Sequence, residues 1–150
     1  MIILNFQCYC KNKRNLPKKS LILLWLNFIL PFFRKNSEVT IRLVDKCEMH
    51  FINMKFSNKN YPTNILSFPF IANKKVKSSF IGDIVICKSI VEKEAKYHNK
   101  NLQSHWAHMI IHGILHLIGF NHILENDAIH MEKLEIFFMK TFGYENPYIY

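Results

Sequence analysis

The segment HGILHLIGFNH places imidazoles at His112, His116 and His122. Neutral imidazole is a strong zinc ligand, and a catalytic zinc takes three protein ligands and keeps its fourth position open. On an α-helix each residue turns roughly 100° and rises about 1.5 Å, so His112 and His116 share one face, about 6 Å apart along the axis. His122 leaves that face if the helix continues. Gly119 allows a left-handed stop, after which Phe120 and Asn121 carry His122 back toward the other two. His108 also lies four residues before His112, but about 12 Å of helix separates it from His116. That span is too long for one ion whose Zn–N bonds are about 2.0–2.1 Å. Zinc peptidases of the H-E-x-x-H class put a glutamate after the first histidine as general base, and here that position is Gly113. One zinc ion on this triad therefore suits another hydrolysis, with water polarised by the metal itself.

The elements that must position these rings follow from periodicity and breakers. Residues 1–9 are apolar and β-prone, and read as a first strand. A basic loop with Pro17 follows. Residues 20–30 read as a helix with Ser20 as N-cap, stopped near Pro31. EVTIRLVD (38–45) alternates as a second strand. Residues 46–56 suit a short helix. NILSFPF (64–70) reads as a third strand, at an edge or ending at Pro69. After a polar loop, FIGDIVIC (80–87) reads as a fourth. Helices follow over 89–98, 104–119 and 125–142, the last ended by Gly143. Strands come early and helices late. The expected fold is one α+β domain over residues 1–150, a small mixed sheet of about four strands with helices packed on it and the metal-site helix in the C-terminal half.

The chain has 150 residues, 49% of them hydrophobic, enough for one core and too apolar for disorder. A net charge of +9 favours a polyanionic partner. Basic residues gather at Lys11, Lys13, Arg14, Lys18 and Lys19, and at Lys74, Lys75 and Lys77; a solvated loop has the same composition. Four cysteines (Cys8, Cys10, Cys47, Cys87) form no C-x-x-C pair and read as reduced thiols of a cytoplasmic protein. Residues 21–33 are apolar but are interrupted by Asn27 and Pro31, and fall short of the roughly 20 residues a membrane span needs. His50, His98, His105 and His130 read as surface residues. Met131, Leu134, Phe137 and Phe138 read as packing residues of the last helix.

Several blocks together resemble the YbeY family of bacterial zinc-dependent endoribonucleases of ribosomal RNA maturation. HGILHLIGFNH is similar to the family's H-G-x-L-H-L-x-G-[YF]-D-H. PTNILSFPF (62–70) resembles its P-T-[DN]-V-L-S-F-P block, GDIVIC (82–87) its G-D-I-x-I strand, MEKLE (131–135) its M-E-x-x-E, and GYENPY (143–148) its tail. These blocks cover most of residues 38–148. The resemblance implies one zinc on His112, His116 and His122. It also implies single-strand-type cleavage of RNA phosphodiesters, in processing and quality control of small-subunit (16S) ribosomal RNA. The implied partners are ribosomal RNA and the small subunit, with no DNA or membrane partner.

Two positions depart from the family pattern. Asn121 stands where Asp is usual, and an amide keeps only the hydrogen bonding of such a group. Ser57 follows Phe56 where the family has Arg, a residue suited to phosphate. Lys55 or Lys59 would substitute as a point charge. Asn121 and Asp83 are candidate catalytic groups, although Asp83 reads equally as a strand-end carboxylate. Thr63, Asn64 and Ser67 are candidate substrate-binding residues, or turn formers. The alternative to a nuclease is an rRNA-binding assembly factor with a structural zinc and weakened catalysis; a zinc peptidase ranks below it.

Overall fold

A computed structural model describes residues 1–73, 75 and 77–149. Lys74, in the second basic cluster, lies outside the described residues. Four strands form one mixed sheet: β1 (Ile2–Cys8), β2 (Ser37–Val44), β3 (Ile65–Pro69) and β4 (Phe80–Cys87), in the order β1-β2-β4-β3. β1 and β4 both run parallel to β2, and β3 pairs antiparallel to β4 at the sheet's edge. Among the described residues the α-helices are α1 (Lys19–Ile29), α2 (Lys46–Ser57), α3 (Lys88–Tyr97), α4 (Leu102–Ile118) and α5 (Glu125–Thr141).

The apolar face of α1 (Ile22, Trp25, Leu26, Ile29) packs with Trp106, Ile110, Ile114 and Leu115 of α4 over Leu4, Ile41 and Ile84 of the sheet. This is the main core. A smaller cluster of Val44, Met49, Val85 and Cys87 seats α2 on the opposite face, with Leu66 and Phe68 of β3 packed against it. Because strand side chains alternate between faces, Ile65 and Ser67 turn toward α4, while Leu66 and Phe68 turn toward α2.

Two helix starts differ from their sequence expectation. Lys18, not Ser20, is the N-cap of α1: the Lys18 carbonyl accepts from the Leu21 and Ile22 N–H groups at 3.0 and 3.1 Å. Burial of the face beginning at Ile22 sets the start, and Ser20 stays exposed. α4 starts at Leu102 rather than Ser104, because the Asn101 side chain accepts from the Ser104 N–H at 3.1 Å and caps it. All four cysteines are free. Burial, with Cys8 alongside, pushes the Cys10 thiol up to about 12. Among the described residues no helix is long and apolar enough to cross a membrane.

Candidate metal centre

α4 presents His112 and His116 one turn apart and stops at Gly119, whose φ of +116° is left-handed. The Gly119 and Phe120 N–H groups donate to His116 O and Leu115 O, at 3.1 and 3.0 Å, and close the helix end. Asn121 Oδ1 then accepts from the Ile123 N–H at 3.2 Å. This Asx turn fixes the peptide on either side of His122. One ring nitrogen from each of His112, His116 and His122 lies within 4.8 Å of the others. The Nε2 atoms of His112 and His116 are 3.0 Å apart. Bonds of about 2.0–2.1 Å in a tetrahedron place nitrogens about 3.3 Å apart, so the three rings fit one cation after shifts at their tips. His108 does not join this group. Its Nε2 faces Glu135 Oε2 at 2.5 Å instead.

Glu135 of α5 is a candidate functional residue that sequence reasoning missed. Only 1% of it is exposed. Burial opposes its charge, yet hydrogen bonds from His108 and His112 pull its carboxyl down to about 2. An ionised carboxylate only accepts, so His108 Nε2–H donates to it, as does the Tyr148 hydroxyl at 2.8 Å. His112 Nδ1 lies 3.5 Å from the same carboxylate. With the proton held on Nδ1, the His112 Nε2 lone pair points at the centre of the triad. The signal was available: MEKLE places one glutamate on the buried side of an amphipathic helix, beside Met131 and Phe138. Burial, with His112 and His122 alongside, pushes the His116 imidazole down to about 4. It is therefore neutral at pH 7 and able to ligate.

Gly113 shows why no glutamate follows the first histidine. A Cβ there would lie 2.9 Å from Ile65 Cδ1 and 3.0 Å from Ile84 Cδ1. Position 113 faces the sheet, not the triad.

The triad opens onto a cleft of about 630 Å³ across the β3 edge, between α4 and the end of α2. It brings together His112, His116, His122 and Asn121 with Ser57, Lys59, Thr63, Asn64 and Ser67. Lys59 is the one Lys or Arg among its described lining residues. Asn64 is committed to the frame. Its Oδ1 accepts from the Ile65 N–H at 2.7 Å, and its amide donates to both Glu94 oxygens at 3.2 Å. Asn53, also not foreseen, lines the cleft and donates to Tyr61 O at 2.7 Å, which ties the 58–63 loop to α2.

Two expected site residues lie elsewhere. Lys55 stands on the exposed side of α2, outside the cleft lining, its ammonium 5.4 Å from the Phe56 ring centre. Asp83 shares a strand face with Val85, which packs toward α2, so it turns away from the face that Ile84 presents to α4. His105, expected at the surface, is largely covered and meets Glu94 at 3.1 Å. The Lys11–Lys19 cluster is exposed and follows the C-terminal end of β1, where the Lys11 N–H donates to Asp45 at 3.0 Å. Leu117 of α4 meets Gly82, near the other end of the sheet.

A family model described as "Endoribonuclease YbeY" matches residues 9–143. Among solved structures, the chain is similar to the solution structure of TM1509 from Thermotoga maritima, at 22% identity, a TM-score of 0.59 and 100% coverage of both chains. At that identity the likeness shows the fold.

Proposed function

Because the chain belongs to the YbeY endoribonuclease family, we propose that it is a zinc-dependent endoribonuclease of small-subunit ribosomal RNA. In this reading it acts in the cytoplasm, in processing and quality control of 16S precursors and of the small subunits that carry them. The observation that carries the proposal is the convergence of His112, His116 and His122 at the break of α4, inside a cleft that also holds Lys59.

His112, His116 and His122 would hold one ion, and Glu135 would orient His112 through Nδ1–H. When bound, zinc supplies a Lewis acid for a phosphoryl oxygen. Lys59 brings positive charge to the same cleft, where a backbone phosphate needs it. Thr63 and Ser67 offer hydroxyl donors to phosphate or ribose. Asn121 keeps the His122 turn through its amide oxygen, a task an aspartate would perform equally, so the turn does not require the family's usual residue.

Ser57 lines the cleft where the family's arginine is expected. This keeps a second reading in play, an RNA-binding assembly factor whose zinc is structural. Incubation of a ribosomal precursor transcript with zinc-loaded protein separates the two. Cleavage that stops with a chelator and returns with zinc is the expected result. Tight binding without cleavage selects the assembly factor. Cleavage of casein in place of RNA selects a peptidase.

A further inference from the structure

The C-terminal half of α2 and the loop after it carry a surface that the metal centre does not use. Phe51, Phe56 and Tyr61 are 65%, 62% and 53% exposed. Phe51 stands about 140° around α2 from Phe56, whereas Phe56 and Tyr61 are left open on the cleft side and call for an occupant. These two rings are not loose. Phe56 rests edge-on against Phe68, with centroids 5.3 Å apart, and so keeps much of its surface outward. Asn53 Nδ2 donates to Tyr61 O at 2.7 Å, and the His50 ring meets Asn60 Oδ1 at 2.8 Å, which fixes the loop that bears Tyr61.

Cations lie among these rings. The Lys55 ammonium sits 5.4 Å from the Phe56 ring centre and 6.0 Å from that of Phe51. Lys59 follows on the same stretch, and Ser57 and Lys59 already line the triad cleft, so the surface runs into it. Glu48, the acidic residue of α2, is tied to Arg42. Lysine is depleted from the buried cores of protein–protein interfaces. Exposed aromatic rings interleaved with cations are what an unpaired nucleic-acid strand uses: bases stack on the rings while the cations meet the backbone.

We propose that Phe56 and Tyr61, with Lys55 and Lys59, form a stacking platform that holds two unpaired RNA bases beside the cleft. The platform deepens the nuclease reading and rests on it for its substrate. It confers preference for single strands, because duplexed bases have no free face to offer. It also gives Lys55 a place in substrate binding outside the cleft.

The test measures fluorescence anisotropy of a labelled single-stranded oligouridylate and of an abasic strand of equal length, each with zinc-loaded protein. Phe56→Ala and Tyr61→Ala are each expected to weaken oligouridylate binding about tenfold and to leave the abasic strand unaffected. Phe56→Leu keeps apolar volume and should weaken it similarly, which separates stacking from folding. Phe137→Ala, an exposed ring on α5, serves as the control. Lys55→Gln should lower the salt slope by about 0.7 on both strands. Ring variants that bind both strands as wild type does would overturn the platform and leave a protein-docking face as the explanation. Ring-dependent binding without cleavage would uphold the platform and sink the nuclease reading. Cleavage without ring-dependent binding would do the reverse.

Discussion

Glu135 offers the sharpest perturbation of the site, because it touches the candidate metal centre without being one of its three histidines. Its carboxylate accepts from Tyr148 at 2.8 Å and from His108 at 2.5 Å, and faces His112 Nδ1 at 3.5 Å. Glu135→Ala leaves the His108 N–H without its acceptor. A buried donor left unpaired costs about 1–3 kcal/mol. At about 2–4 °C per kcal/mol for a chain of this size, the melting temperature of the metal-free protein should fall by roughly 2–12 °C. Glu135→Gln is the more informative change. It keeps shape and one acceptor oxygen and removes the charge that fixes the His112 proton on Nδ1. Loss of such an outer partner weakens metal binding about 10–100-fold, which is about 1.4–2.7 kcal/mol. Competition against a chromophoric zinc chelator reads the affinity, and thermal melting in chelator reads the fold. The expected pattern for Glu135→Gln is a zinc Kd raised at least tenfold with a small change in melting temperature. A folded Glu135→Gln protein that binds zinc as tightly as wild type would refute the role given to this carboxylate.

Packing and charge at Gly113, Gly82 and Glu94 carry further outcomes. Gly113→Ala should destabilise by about 0–2 kcal/mol in urea unfolding, because overpacking of about 1–3 kcal/mol against Ile65 and Ile84 is partly offset by better helix propensity. Gly113→Glu should fail to fold, and a stable, zinc-binding Gly113→Glu protein would show that position 113 does not face the sheet. Gly82→Ala combines a φ of +144° with a Cβ 2.3 Å from Phe68 O. It should cost roughly 2–6 kcal/mol and free β3 from β4, read as faster amide exchange over Ile65–Pro69. Glu94 has a pH signature: burial opposes its charge, but hydrogen bonds from His105 and Asn64 hold its carboxyl below the usual range. A lowered folded value means that its stabilisation is complete above the ordinary carboxylate pKa of about 4.3 and is lost as pH falls below it. Glu94→Gln should therefore melt below wild type at pH 7, and the gap should narrow as pH falls through the carboxylate range.

Much of the site was legible because its geometry is local. The His112–His116 pair needs one helical turn, and Gly119 needs one left-handed residue, so spacing within eleven residues carries both. The sheet was legible for the same reason, since β-branched runs bounded by breakers mark each strand. What escaped depends on partners far along the chain. Glu135 meets His108 and His112 across a helix–helix contact that no local period announces, and Asn53 reaches Tyr61 around a loop. Asp83 sits beside Gly82 in a motif that suggested chemistry, yet strand alternation turns it to the α2 face. Lys55 and Lys59 were equivalent as charges, and only the end of α2 at Ser57 decides that Lys59 enters the cleft. Ser20 has the chemistry of a cap, but the face to be buried starts at Ile22 and moves the helix start to Lys18.

The most direct test of the account is to quantify zinc in purified wild type and in His112→Ala, His116→Ala and His122→Ala, and to assay each on one ribosomal precursor transcript. One ion per chain in wild type is expected, with little or none in each variant and RNA cleavage lost in step with the metal. Full zinc content in folded His→Ala variants, or undiminished cleavage by metal-free protein, would contradict it.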